Sequence, residues 1–463
     1  MSLGGKRVEK MKAMRNLALV GAMALAVTGC SKELILDGLR EDIRSPGYDT
    51  TDPQAVAGAT EVAGERTAPF ENQARAISLG AAGAPSSWTH RGANAQHSLP
   101  HATLSAQPVL AWSASAGAGN ERKYRITAEP VAEGGRVFTM DSHANVMAHA
   151  VGGATLWSAN LTAPGERDGT ASGGGLALGD GKLFATTTQG ELVALDPASG
   201  NVLWRQKFEA AVNGAPTVSG GQVFVTTGNS VAYAVNTDTG RIGWRLAGVP
   251  TQSGVSGTAA PAVSGNIVLF PLANGSMLGV DAANGTVRWN ARVAGDRPGR
   301  ARRVLQAFTG EPVVSGDMVF AATASGRAVA IGLNDGRARW NVEEGAQGTM
   351  SVAGGSVFFV NDEARLVRLS AASGEKIWEV ALPRYERADK PRKLKSVWPA
   401  FGPVLASGRV WIASGDGFLR AFNPEDGTPL GIVELPAGAA SRPIIVGGMM
   451  MLMTEKGDLI GMR

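Results

Sequence analysis

Gly190-Glu-Leu-Val-Ala-Leu-Asp196-Pro-Ala-Ser199-Gly200-Asn-Val-Leu-Trp204 is the stretch from which the rest of the chain can be read. It has the form of one β-hairpin. Leu192 and Ala194 belong to a short strand, Ser199-Gly200 supplies the turn, and Val202 to Trp204 begin the returning strand. The same spacing of glycine and tryptophan, four residues apart, recurs at Gly153/Trp157, Gly240/Trp244, Gly285/Trp289, Gly336/Trp340 and Gly374/Trp378. A further copy keeps Gly427 but carries Gly431 in the tryptophan slot. Repetition at a fixed period settles architecture before any single motif is weighed.

A second signal precedes each hairpin. A proline stands seven residues before a strand-centre residue at Pro130/Val137, Pro216/Val223, Pro261/Val268, Pro312/Val319, Pro403/Val410 and Pro443/Met450, with Leu176/Leu183 and Met350/Val357 in the two copies that depart from it. A glycine-containing turn lies between the paired positions, so each unit is expected to hold four short strands. From Trp112 to Trp378 the slots are spaced by about 44 residues, the period of four-stranded propeller blades. The last copy, from Pro443 to Arg463, lacks a tryptophan strand, while Pro108-Val-Leu-Ala-Trp112 is a tryptophan strand with no blade before it. Pairing the two completes the last blade and leaves no open edge. The expected fold is all-β, an eight-bladed propeller of four-stranded antiparallel blades over residues 87–463, closed by an N-terminal strand.

The amino-terminal region has another character. Lys6, Arg7, Lys10, Lys12 and Arg15 against Glu9 give residues 1–29 a net charge of +4, which equals that of the whole chain. The remainder is formally neutral, so no global basic field exists to hold nucleic acid. The basic stretch leads into an apolar run, Leu17 to Val27, then Thr28-Gly29-Cys30, the three-part pattern of a secretory signal. The run is too short for a permanent transmembrane helix. Cys30 is the only cysteine, and small residues leading directly to it resemble the lipobox of bacterial lipoproteins. That resemblance implies acylation at Cys30, with Ser31 favouring the outer membrane. Residues 30–86 show no sustained period beyond a possible short helix from Glu33 to Ile43 and are expected to form a tether.

Trp112, Trp157, Trp204, Trp244, Trp289, Trp340 and Trp378 occupy one slot in successive repeats, which points to shared packing between blades rather than ligand stacking. Asp196, Asn236, Asp281, Ser370 and Asn423 each stand four residues before the turn glycine, where side-chain capping of the turn accounts for them without metal chemistry. The histidines, His90, His97, His101, His143 and His149, are confined to the first part of the chain. His97 and His101 are separated by Pro100 and lack a helical period to bring them onto one face. No phosphate loop, nucleophile elbow or second cysteine is present, and the carboxylates look scattered and turn-like. No catalytic residue, metal site or cofactor is expected.

The unit Gly-x-Leu-x-Ala-Leu-Asp-x-x-x-Gly-x-x-x-Trp, with Trp88-Thr-His-Arg-Gly-Ala-Asn94 before the first blade, resembles the quinoprotein-type propeller repeat. One setting of that repeat is the pyrroloquinoline quinone dehydrogenases, whose commonly found vicinal cysteine pair and long insertions have no counterpart here. The other is the BamB-like lipoprotein family of the outer-membrane β-barrel assembly machinery, which joins a lipobox and a tether to a cofactor-free eight-bladed propeller. The second resemblance covers residues 17–30 and 88–463. It implies a non-enzymatic scaffold on the periplasmic face of the outer membrane that docks the periplasmic domains of the barrel-assembling subunit and meets nascent outer-membrane proteins. The alternatives are a quinone-dependent periplasmic oxidoreductase and a carbohydrate- or cell-wall-binding propeller.

The resemblance also implies partner contacts. The family's apolar-Arg-Gly run corresponds to Val255-Ser256-Gly257, where serine replaces the arginine. A second contacting segment corresponds to Arg302-Arg303-Val-Leu305, where the leucine is kept and arginines or neutral residues replace the acids. A partner of altered charge is one reading of Arg302 and Arg303; a solvated basic loop is the other. Finally, Arg387, Lys390, Arg392, Lys393 and Lys395 make the connection before Trp398 strongly basic, which suits either solvent or lipid headgroups.

Overall fold

The computed structural model describes residues 70–463 other than 167–172, 249–258, 296–305, 324 and 389–395. The predicted signal, Cys30 and the tether up to residue 69 lie outside these residues. Among the described residues, thirty-two strands form eight four-stranded antiparallel sheets, arranged as the blades of a propeller. Blade 1 sets the pattern with β2 (Val131–Glu133), β3 (Arg136–Met140), β4 (Asn145–Ala150) and β5 (Thr155–Asn160). The inner strand is short and follows a proline, whose missing N–H is tolerated at a strand start. The next two strands bury both faces against neighbouring blades, which is why they read as Val-Phe and Leu-Ala runs. β5 alternates between exposed and half-buried positions, as an edge strand should.

Blades 2 to 7 follow in order over residues 173–207, 217–247, 262–292, 313–342, 351–381 and 400–434. Blade 8 is composite. Its β30 (Ile444–Val446), β31 (Met449–Met453) and β32 (Asp458–Met462) are completed by β1 (Leu110–Ser115), with Ser113 opposite Ile460 and Ala114 opposite Leu459. The closing strand read from the orphan tryptophan is therefore present.

The glycine and tryptophan of the repeat meet across blade boundaries. Each indole lies on the turn glycine of the next blade: Trp112 on Gly153, Trp157 on Gly200, Trp204 on Gly240, Trp244 on Gly285, Trp289 on Gly336, Trp340 on Gly374 and Trp378 on Gly427. A Cβ on Gly240 would stand 2.8 Å from the Trp204 ring, and Gly240 has φ +68°, so the position serves both the turn and the indole. Six of the indoles donate Nε1–H to the carbonyl three residues before that glycine, for example Trp204 to Thr237 at 3.0 Å and Trp378 to Pro424 at 3.1 Å. Trp112 instead lies 3.2 Å from Met449 Sδ. The exception at Gly431 now has a physical reason. A tryptophan there would need a glycine turn between the third and fourth strands of blade 8, and β32 and β1 are not joined by a hairpin.

The capping column behaves as expected. Asp196 Oδ1 accepts from the backbone N–H groups of Ala198 and Ser199, and Asn236 Oδ1 from those of Asp238 and Thr239. Asp281, Ser370 and Asn423 make equivalent bonds.

Two segments before β1 are placed in ways the repeat does not announce. Residues 83–104 cross the axis of the ring and bond to the inner strands of seven blades. Trp88 exchanges both backbone bonds with Ala132, Thr89 O accepts from Leu178, His90 Nε2 from Val218, Ala95 O from Val263 and Gln96 O from Val314. Ala102 pairs with Leu405 and Ser407, and Pro85 O accepts from Gly447. These contacts lie along or just after the inner strands, so the segment plugs the channel toward the end opposite to where those strands begin. Trp88, His97 and Ala102 are fully buried by it.

The other segment corrects an expectation. Residues 70–79, assigned to a free tether, lie along blades 6 and 7. Gln73 N–H donates to Ile377 O on the outer strand β25 (Lys376–Ala381), and Arg75 N–H donates to Glu425 O. Arg368, only 1% exposed, clamps the segment by donating to the carbonyls of Arg75, Pro424 and Glu425 at 2.6, 2.9 and 3.0 Å.

Candidate functional site

Residues immediately before the blade-opening prolines sit at the start of inner strands and therefore face the axis. In blades 1, 5 and 8 they are charged: Glu129, Glu311 and Arg442. Arg91 rises from the plug between the two carboxylates, its Nε 3.3 Å from Glu129 and 3.0 Å from Glu311. Arg442 Nε stands 4.0 Å from Glu129, while its Nη2 donates to Thr349 O at 2.6 Å. Thr349 Oγ1 donates to Glu311 Oε2. Two arginines and two glutamates thus form one buried layer whose formal charges cancel. This corrects the expectation of scattered carboxylates, since two of them converge at the hub. Burial works against the charge on Arg91, but Glu311 and Glu129 outweigh it and raise its pKa. Removing one member of such a layer would leave an uncompensated charge.

Above this layer lies a cavity of about 280 Å³, lined by Arg91, Glu129 and Arg442 and walled by Ile126, Phe308 and Phe401. Because outer strands end where the next inner strands begin, all inter-blade connections emerge at the same end of the ring as this cavity. The sequence signal for it was available: a charged residue directly before a blade-opening proline, where other copies have Ala215, Ala260 or Gly402.

Three of the five histidines, His90, His97 and His101, serve the plug. His97 Nδ1–H donates to Pro312 O at 2.9 Å, and a carbonyl can only accept, so that nitrogen carries the proton. His90 Nε2 accepts from Val218 N–H at 2.9 Å, which fixes the opposite nitrogen as the protonated one. Burial is the main cause holding His90 down to about 3 and His97 to about 4. His101 Nε2 accepts from Gly408 N–H on blade 7. Among the described residues no group of three His, Cys, Asp or Glu side chains is placed to hold a metal ion.

The residues singled out for partner contact, Val255, Ser256, Gly257, Arg302, Arg303 and Leu305, lie outside the described residues, as does Cys30. Residues 249–258 join Gly248, after the outer strand of blade 3, to Ala259 before blade 4, and residues 296–305 join Gly295 to Gln306 between blades 4 and 5. The flanking residues Gly248, Ala259, Gly295 and Gln306 lie at the cavity end of their blades. Of the basic connection, Arg387 is described and residues 389–395 are not.

Comparison with known proteins agrees with this architecture. The family described as outer membrane protein assembly factor BamB matches residues 142–380 and 369–463. Outer membrane protein assembly factor BamB of Yersinia pestis is 23% identical over 367 residues, covering 78% of this chain and 90% of its own. The Salmonella typhimurium protein of the same name is 26% identical over 381 residues, again with 78% and 90% covered. The crystal structure of BamB from Moraxella catarrhalis superposes with a TM-score of 0.63 at 18% identity, over 77% of this chain and 99% of that one. Quinohemoprotein alcohol dehydrogenase from Comamonas testosteroni gives 0.64 at 15% identity over 81% and 80%, a likeness of fold alone. With the family match spanning well over half its length, and with eight blades closed in the same way as the repeat requires, the chain belongs to the family of outer membrane protein assembly factor BamB.

Proposed function

We propose that this chain is a non-enzymatic scaffold, anchored through an acylated Cys30 to the periplasmic face of the outer membrane, that docks the periplasmic domains of the barrel-assembling subunit. Membership of the assembly-factor family is the observation that carries the reading. The two connections that hold Val255, Ser256, Gly257, Arg302, Arg303 and Leu305 serve adjacent blades at one end of a rigid ring, an arrangement that suits a single docking patch. Arg302 and Arg303 would then meet acidic groups of the partner. The bond from Gln73 to the outer edge of β25 supports a second element of the reading. It is an instance of a blade edge accepting extended backbone, the mode by which nascent barrel strands would be presented.

Copurification from detergent-solubilised membranes tests the proposal. Recovery of the barrel-assembling subunit with the native chain, and a loss of at least tenfold for Arg302→Glu/Arg303→Glu, is the expected result. Failure to recover that subunit with the native chain would remove the scaffold reading. Unchanged recovery with the double variant would remove the contact assigned to the two arginines.

A further inference from the structure

The axial cavity has features that a packed channel does not need. Arg91 is held from behind, because Nε faces both Glu129 and Glu311. Its hydrogen bond among the described residues comes from Nε, to Glu129 Oε1, and its side chain remains 18% exposed in a residue otherwise enclosed by the ring. The planar edge of a guanidinium is thereby fixed in direction and left with donors to spare. Such an edge matches a carboxylate in the two-bond fork geometry better than any other common group. Ile126, Phe308 and Phe401 give part of the wall an apolar face, beside the polar side chains of Thr127, Thr309, Gln347 and Ser441. At about 280 Å³ the space lies at the small end of ligand pockets.

Charge narrows the class further. Arg91 and Arg442 balance Glu129 and Glu311, so the layer is formally neutral before anything binds. One added carboxylate can take donors from Arg91 and from Arg442, whose Nε and Nη1 have no hydrogen-bond partner. A second negative charge would leave the enclosed layer two charges in excess beside Glu129, which disfavours phosphate dianions and polycarboxylates. From this geometry we infer that the axial cavity is a binding site for a small monocarboxylate with an aromatic or branched apolar body, with Arg91 as its anchoring residue. Glu311 acts through Arg91 and is a positioning residue, while Glu129 and Arg442 also line the cavity. The site is at the hub and does not depend on docking through the connections between blades.

The test uses the full chain in detergent, titrated by calorimetry with benzoate, its neutral isostere benzamide, and inorganic phosphate. Saturable one-to-one binding of benzoate is expected, with benzamide and phosphate each at least tenfold weaker. Arg91→Lys keeps a cation between the two glutamates and removes the planar pair of donors, so it should weaken benzoate at least tenfold. Gln347→Trp, at a half-buried wall position, should block the cavity without touching the ionic layer. It serves as the second variant if Arg91→Lys does not fold. Absence of saturation with benzoate would overturn the inference. So would equal binding of benzamide, which would mark an apolar hollow, or of phosphate, which would mark an unselective anion site. Benzoate affinity unchanged in a folded variant would also overturn it.

Discussion

The latch between Trp204 and Gly240 offers the sharpest test of how the blades are held together. Trp204→Ala removes a half-buried indole and its bond to Thr237 O, and should cost about 3–5 kcal/mol, the usual range for truncating a packed aromatic. Gly240→Ala carries two separable costs. The left-handed backbone at φ +68° costs an alanine about 1 kcal/mol. The new Cβ would stand 2.8 Å from Cδ2 and Cε3 of Trp204, an overpacking worth about 1–3 kcal/mol. In the double variant the ring is gone, so only the backbone cost remains. The two substitutions should therefore be less damaging together than their sum by about 1–3 kcal/mol. Urea titration of the four proteins measures this coupling. Additivity within about 0.5 kcal/mol would show that Gly240 does not exist to receive the indole. Gly431→Trp is the companion control, and it should give no stabilisation because blade 8 offers no glycine turn to receive it.

Acid should loosen the plug. His90 and His97 are held down to about 3 and about 4, below the ordinary value near 6.5, so their neutral forms contribute stability that is fully present above pH 6.5 and is lost as pH falls toward the folded values. Within that window each contributes a loss of about 1.4 kcal/mol per pH unit. Between pH 6.5 and 5 the urea midpoint should drop steeply. His97→Gln, whose amide can still donate to Pro312 O, should remove about half of that slope; an unaltered slope would mean that His97 is not the group being protonated. Arg368→Ala should release residues 70–79, since that blade 6 guanidinium joins the carbonyl of Arg75 in this strap to those of Pro424 and Glu425 in blade 7. Trypsin cleavage after Arg75 should accelerate at least tenfold while the propeller core stays resistant; an unchanged rate would mean that other contacts hold the strap.

Blade number and ring closure were legible because each blade repeats one chemical solution. A glycine four residues ahead of one tryptophan receives the tryptophan of the blade before, and a proline opens the inner strand in six of the eight copies. Period alone then gave the composite blade, since Trp112 had no partner before it and Met462 none after it. The plug was not legible, because residues 83–104 pair with a different blade every few positions and so have no period of their own. Only the Trp88-to-Asn94 motif marked it, and its meaning depends on the channel it fills. The ionic hub was missed for a related reason. Glu129, Glu311 and Arg442 are each more than a hundred residues apart, and they meet only because each precedes a proline at the axis. The strap at residues 70–79 is held mainly by backbone carbonyls and one buried arginine, which leave little trace in hydrophobic pattern.

The docking claim is tested most directly by a photo-crosslinking side chain installed at position 305 in membranes, with Leu203, exposed on the outer strand of blade 2, as the comparison site. The account predicts an adduct with the barrel-assembling subunit from position 305 and none from position 203. No adduct from position 305, or equal adducts from both positions, would contradict it.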